Sequence, residues 1–416
     1  MPSKLVSHES VAAAMRQLGS ESLAAPSGME SSSLSDAELR AHLSAALTVL
    51  EAEGESPGIM VTVEHQLASL LQTHLVEHPH DVELIERPAP NDALEVKFDK
   101  GDVLGWARSL LEWWRKIKPE PWIEPPDEPE PVGDGTRAKI AVIGDWGTGL
   151  YGAPVIAKTI AAAPGGFDLL LHLGDVYYSG TPKEVERNFK AFWPKDAGRL
   201  NRAINSNHEM YSGGEGLYKV TMPWFGQRAT TWAAQTDHWL LIGLDSAYED
   251  HDLAHDQAAW VEGLVARRDG RRVLLFSHHQ PFSLLDKQGP KLVAKLGRLL
   301  DAGAIFGWYW GHEHRCVIHE PHPVWKLRGR CIGHGGFPAY RDKLGAFPQE
   351  GGAFRRLPAR NLVPGGLVLD MPNPYIESDP DRYGANGYAT LELDGAAVRE
   401  RVHAPDGKVL LDWELT

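Results

Sequence analysis

Cysteine is nearly absent: the 416 residues hold only two, Cys316 and Cys331. Two thiols cannot build a disulfide framework, and these two lack the spacing of a zinc site. Both sit in apolar, strand-like runs, Cys316-Val317-Ile318 and Cys331-Ile332. Two buried free thiols are the expectation; if the two strands pair, neighbouring sulfurs are the alternative. No apolar run is long enough to span a bilayer. The opening residues, Met1 to Glu9, lack the basic-then-apolar pattern of an export signal. A cytoplasmic protein without membrane contact is therefore expected. Positive charge is also in deficit, with 42 Lys and Arg against 56 Asp and Glu, a net charge of -14. Such a surface repels nucleic acid and anionic lipid. Gly144 to Gly149 resembles a nucleotide loop at first sight but lacks the Gly-Lys-Ser/Thr that a P-loop needs.

What is present divides the chain into three parts. Residues 1–118 carry helical patterns and no ligand-type motif. The first 33 or so are rich in Ser and Ala, and loose packing or disorder is expected there. Ser35-Asp36-Ala37-Glu38 is a capping box, followed by Leu39, Leu43, Ala46, Leu47 and Leu50 at helical spacing. A second helix is predicted from about Glu64 to Val76 and a third from about Asp102 to Ile117. These helices read as a small module packed beside the main body and dispensable for chemistry on small substrates. They are also the candidate surface for protein partners. Residues 119–136, with Pro119-Glu120-Pro121 and Pro125-Pro126, form a semi-rigid acidic linker. The catalytic domain is assigned to residues 137–416.

In that domain, five predicted strands end in turns that carry metal-ligand chemistry. Ala138–Ile143 leads to Gly144-Asp145, and Asp168–Leu173 leads to Gly174-Asp175-Val176-Tyr177-Tyr178. A helix-like stretch, Pro154 to Ala163, makes these a βαβ unit. Its strand ends lie side by side, so the two carboxylates converge, and they repel unless a cation separates them. Later strands end at Asn207-His208-Glu209, at His278-His279-Gln280-Pro281 and at Gly311-His312-Glu313-His314. Asp175 can bridge two cations, Asp145 can hold one, and the amide of Asn207 the other. Imidazoles of His279, His312 and His314 suit zinc, iron or manganese. This is the inventory of a two-metal hydrolase.

The ordered set Gly-Asp, Gly-Asp-x-x-Tyr, Asn-His-Glu, His-x-Pro, Gly-His-x-His resembles the calcineurin-like metallophosphoesterase superfamily. Within it, Gly144-Asp145-Trp146-Gly147 and Gly174-Asp175-Val176-Tyr177-Tyr178 are similar to the purple acid phosphatase branch. The likeness covers about Arg137 to Gly336. Most of the superfamily has a His two residues after the first Asp, where this chain has Gly147. The purple phosphatases use a Tyr three residues after the second Asp, which matches Tyr178; Tyr177, one residue away, is the alternative.

The resemblance implies an α/β fold, a four-layer αββα sandwich of two mixed sheets. It implies one metal held by Asp145, Asp175, Tyr178 and His314, and a second held by Asp175, Asn207, His279 and His312. His279 is chosen over His278 because Pro281 then follows two residues later. It implies Fe(III) at the tyrosine site and Zn, Fe or Mn at the other. His208 would face the phosphate of a small phosphorylated substrate. The implied reaction is hydrolysis of phosphomonoesters by attack of a metal-bound hydroxide.

Three other readings stay open: a phosphodiesterase, a phosphoprotein phosphatase and a non-catalytic metal-binding scaffold. His334, which ends the strand before Gly335, and Arg315, next to His314, are candidate substrate contacts. Trp146 either walls the pocket or packs beneath it. Ser206 stands where the superfamily has Gly, which asks that position to avoid a Gly-only backbone.

Overall fold

The structure is a computed structural model that describes residues 4–20, 36–53, 65–77, 83–88, 94–99, 114, 117–341, 344–345, 347–348, 352–377 and 379–415. Two mixed sheets stack face to face, and helices cover both outer faces. The first sheet has six strands in the order Val409–Leu415, Ala397–His403, Tyr388–Asp394, Arg137–Ile143, Phe167–His172, Gly198–Ala203. Its last three are parallel and the others antiparallel. The second has nine. At its centre Trp239–Gly243, Arg272–Ser277, Ile305–Trp310 and Arg328–Ile332 run parallel.

Side-chain alternation along each strand builds three apolar layers. Ile140 and Val142 face Leu274, Phe276 and Tyr309 in the interior between the sheets. Ala141 and Ile143 face outward, onto Ile156 and Ile160 of helix Ala153–Ala161. Leu240, Ile242 and Leu275 pack the other way, against Val261 and Leu264 of helix Gln257–Ala266. This is the expected four-layer αββα sandwich.

The cysteine-bearing strands do pair, with Cys316 opposite Ile332 and Val317 opposite Cys331. Opposed residues share a face, so the two sulfurs lie on opposite faces of the sheet. Cys316 joins the interior layer and Cys331 the outer one, and both are free. Among the described residues, no helix is long and apolar enough to cross a membrane.

Several expectations need correction. The first 33 residues were expected to be loose, yet Lys4–Val6 is a strand and His8–Ser20 a helix. The reason lies in Val11, Ala14, Met15 and Leu18, which recur at helical spacing and are buried. The helices Asp36–Glu53 and Gln66–Glu77 appear as expected. They are accompanied by a three-stranded sheet of Lys4–Val6, Leu94–Asp99 and Glu83–Pro88 that the helical reading did not foresee. The helix predicted over 102–117 lies outside the described residues apart from Trp114 and Ile117, as does Ser35 of the capping box. The Pro-rich segment lies along the main body. Glu130–Pro131 pairs with Ala234 and Gln235 at the sheet edge, where a missing N–H is tolerated. The long Gly- and Pro-rich stretch after Gly333 hides a hairpin, Phe354–Leu357 with Gly366–Leu369, that extends the nine-stranded sheet.

Candidate metal centre

Ile143 and His172 are register partners on parallel strands, so the two Gly-Asp turns leave the sheet side by side. Asp145 N–H donates to the Gly174 carbonyl at 3.1 Å, and Gly147 N–H to the Asp175 carbonyl at 3.0 Å. Asp145 and Asp175 both have left-handed backbones, φ 52° and 76°. Such values are uncommon outside glycine, and Asp is one of the residues that adopts them. Gly174, at φ 99°, is required: a Cβ there would lie 2.7 Å from Ser206 Cβ and 2.8 Å from His278 Nδ1. Both carboxylates are fully buried. Burial and the neighbouring Asp175 hold the Asp145 carboxyl well above its usual range. For Asp175, burial acts in the same direction but is outweighed by His208, His278 and His314, so it lies well below.

The oxygens of Asp175 face two different groups. Oδ2 lies 3.5 Å from His314 Nε2, which is also 3.6 Å from Asp145 Oδ1. Donor atoms of Asp145, Asp175 and His314 all lie within 4.8 Å of one another. Oδ1 lies 3.3 Å from His278 Nε2. That nitrogen is also 2.8 Å from Asn207 Oδ1 and 3.3 Å from His312 Nδ1. The segment Gly311 to His314 is a turn and not a strand, with His312 and His314 at φ 67° and 51°. His314 thus lies beside Asp175 Oδ2, and His312 meets His278, the neighbour of Oδ1.

His278 Nδ1–H donates to the Leu173 carbonyl at 2.8 Å, so the proton of the neutral ring is spoken for. Burial pushes the ring's pKa down to about 3, so it stays neutral. Nε2 is then a bare lone pair. It faces the Asn207 carbonyl oxygen, whose own amide NH₂ donates to Tyr211 Oη at 3.1 Å. Nitrogen, amide oxygen and carboxylate oxygen thus converge with no proton between them. Such a cluster is repulsive unless a cation sits among the lone pairs. Asp145 Oδ2 is likewise buried without a hydrogen-bond partner. The residues present fit a pair of transition-metal ions, with nitrogen and oxygen donors in both clusters.

The tyrosine at the carboxylates is Tyr177. Its hydroxyl donates to Asp175 Oδ2 at 2.7 Å and lies 3.1 Å from His314 Nε2. Burial and then the Asp175 charge raise this phenol well above its ordinary pKa. Tyr178, the residue matched by family spacing, turns the other way, and its hydroxyl accepts from Val6 N–H at 3.3 Å. The adjacent histidines face different neighbours. His279 donates from Nδ1 to the Ser246 carbonyl at 2.8 Å, leaves Nε2 buried without a partner, and lies tilted against His251 with centroids 3.8 Å apart. His251, His279 and His312 offer nitrogens within 4.8 Å of one another, next to the cluster of His278. The oxygen donors, Asp175 and Asn207, are on the His278 side.

Residues 138–316 match the family described as calcineurin-like phosphoesterase. Over this segment the chain is similar to that family. No curated protein matches the chain. Among solved structures, a purple acid phosphatase from yellow lupin (Lupinus luteus) is 12% identical over 70% of this chain and 55% of its own, with a TM-score of 0.48. The chain thus spans about half the length of that protein. A Plasmodium protein described as the anchor in the inner membrane complex is 13% identical, over 68% of this chain and 89% of its own, with a TM-score of 0.46. A dimetal phosphatase from Danio rerio is 11% identical, over 68% and 99%, with a TM-score of 0.40.

Other residues around the centre find definite places. His208 is buried beside Tyr177, with ring centroids 4.8 Å apart, and its Nε2 has no protein partner. Ser206 has an extended backbone, φ −133°, so no glycine is needed there. Its hydroxyl donates to Asp175 Oδ1 at 2.6 Å and also meets Glu209, giving the departure from the family pattern a supporting role. Glu209 is pushed up to about 8 by burial and by Asp175. Phe337 stacks on Tyr177 and His314, with centroids 4.8 and 4.3 Å away. Nothing in its Gly- and Pro-rich surroundings marks it in the sequence.

Three other candidates are held by contacts of their own. His334 is buried with neither ring nitrogen partnered, against Gly387. The Arg315 guanidinium donates to the Tyr340 carbonyl. Trp146 packs beneath the site against Phe189 and Trp193, and its Nε1–H donates to the Ala153 carbonyl at 3.0 Å.

Proposed function

We propose that the chain is a dinuclear-metal phosphoesterase that hydrolyses phosphomonoesters of small molecules, with residues 137–416 as its catalytic unit. The observation that carries this reading is the meeting of His278 Nε2, Asn207 Oδ1, Asp175 Oδ1 and His312 Nδ1 at 2.8–3.3 Å from the first of them. Asp145, Asp175, Tyr177 and His314 would hold one ion, and Asp175, Asn207, His278 and His312 the other. Bound ions of this kind lower the pKa of water and offset charge on phosphoryl oxygens. Tyr177, as a phenolate, favours a hard ferric ion in the first position, with Zn, Fe or Mn in the second.

The chain's own residues do the rest. Asp175 fixes the spacing of the two clusters by facing one with each oxygen. Ser206 holds that carboxylate by donating to Oδ1, and Glu209 anchors the turn by accepting the Asp175 backbone N–H at 3.2 Å. His208 keeps a proton on Nδ1 and presents Nε2 to the substrate. When Nε2 is protonated it can hand a proton to the leaving alkoxide. Such general acid catalysis typically supplies about 10²–10⁴-fold.

The test is a phosphate-release screen on aryl phosphate mono- and diesters, run side by side, with elemental analysis of the same sample. Two transition-metal ions per chain and a preference for monoesters are expected. A protein that binds no transition metal, and gains no turnover from added Mn, Fe or Zn, would remove the proposal. A preference for diesters would keep the centre and change the substrate class.

A further inference from the structure

Helix Gln66–Glu77 lies against the loop that follows Asp175, and it does so with polar residues. Gln66, Ser69, Thr73 and Glu77 recur at spacings of three and four, so they line one face. Ser69 Oγ–H donates to the Tyr178 carbonyl at 2.6 Å. Thr73 Oγ1–H donates to Glu184 Oε1 at 2.9 Å, and that same oxygen accepts Tyr178 N–H at 2.7 Å. Thr181 Oγ1–H donates to Glu77 Oε1 at 3.1 Å, and Gln66 Nε2–H to the Tyr211 carbonyl at 3.0 Å. Ser69 and Thr73 are buried. Buried hydroxyls need partners, and the catalytic loop supplies them.

The Tyr178 carbonyl has a second neighbour. His208 Nδ1 lies 2.6 Å from it. A carbonyl oxygen only accepts, so Nδ1 carries the proton and Nε2 is the nitrogen left for chemistry. One carbonyl thus takes a hydrogen bond from the N-terminal region and another from the phosphate-facing histidine.

We propose that Ser69 is a positioning residue for His208: it fixes the Tyr178 carbonyl, and that carbonyl fixes the tautomer and tilt of the imidazole. This rests on the reading of His208 as proton donor given above. It makes the N-terminal region part of the catalytic apparatus, against the expectation that it is dispensable for chemistry.

The test uses the full chain with its metals bound. Ser69→Ala removes one donor and should lower kcat about tenfold on aryl phosphates with poor leaving groups, the size of one hydrogen bond's net worth. The loss should shrink for leaving groups that need no proton, with KM and metal content unchanged. Gln66→Ala removes a docking bond away from the carbonyl and should change kcat by less than about twofold, as surface-like losses do. The double variant Ser69→Ala/His208→Ala should lose no more than His208→Ala alone, because the two act as one unit.

The outcomes separate the two ideas. If His208→Ala shows no dependence on the leaving group, the reading of His208 as proton donor fails. If it shows that dependence but Ser69→Ala behaves like Gln66→Ala, or the losses add, the positioning role fails. Should Ser69→Ala not fold, Ser69→Cys keeps the volume, weakens the donor and carries the same comparison. Independently of any variant, nitrogen NMR of the wild-type His208 ring should show Nδ1 protonated, and a ring protonated on Nε2 alone would overturn the proposal.

Discussion

Tyr177 donates its hydroxyl proton to Asp175 Oδ2 across 2.7 Å. Its neighbour Tyr178 has its hydroxyl at Val6 N–H. If a ferric ion takes the position next to Asp175, the phenolate on it is that of Tyr177. Oxidised, iron-loaded protein should then be coloured by a charge-transfer band in the visible. Tyr177→Phe should bleach it with iron retained, and Tyr178→Phe should leave the colour. Bleaching by Tyr178→Phe alone would return the ligand role to the residue that family spacing picks.

The adjacent histidines part in the same way. His278→Ala removes the nitrogen that faces Asn207 and Asp175, and should cut bound metal from about two ions to about one per chain, as Asn207→Ala should. His279→Ala removes a ring held by Ser246 and tilted against His251, and should leave metal content unchanged. Elemental analysis of the three purified variants decides it, and metal loss from His279→Ala alone would reverse the assignment.

His208→Ala should lower kcat by about 10²–10⁴-fold, the usual scale for a general acid. Metal content should not change, because the ring donates to a carbonyl and not to the ion cluster. Steady-state kinetics across aryl phosphates of graded leaving-group acidity checks this. Loss of metal instead would recast His208 as a ligand.

His334 should matter for stability and not for turnover. Burial pushes its ring down to about 3, against about 6.5 for an exposed histidine. Below about pH 6.5 the unfolded chain takes up a proton that the folded chain refuses until about pH 3. Folded stability therefore falls as pH falls through that window. His334→Leu removes the buried unpaired nitrogens, so thermal unfolding from pH 7 to pH 4 should become less acid-sensitive, with kcat kept. A large loss of kcat would put His334 back at the substrate.

The architecture was legible because its signals are long. Strands such as Arg137–Ile143 and Arg272–Ser277 contain the apolar runs Ile140–Ile143 and Val273–Phe276, and each ends in a turn with a polar ligand type. The order of those turns pointed to a metal pair before any geometry was known. What the sequence leaves open are choices of one residue. Tyr177 against Tyr178 and His278 against His279 differ only in which way a side chain leaves a turn. Left-handed residues such as Asp175 and His312 set that direction. Spacing relative to a motif does not encode it. The brace from Ser69 was hidden for another reason: it joins residues 109 apart in the chain, and a serine inside a helical pattern looks like tolerated surface until its partner is seen.

The placement of Cys316 and Cys331 on opposite faces of one sheet has a practical side. Burial raises the pKa of both thiols, and no oxidant can join them without turning a strand over. The wild-type chain is then a silent background for thiol-directed probes. A single cysteine introduced at Lys183, exposed just past the loop that follows Asp175, can be labelled without first removing the natural pair. A reporter there would sit where helix Gln66–Glu77 meets the catalytic loop and would sense whether that contact is intact.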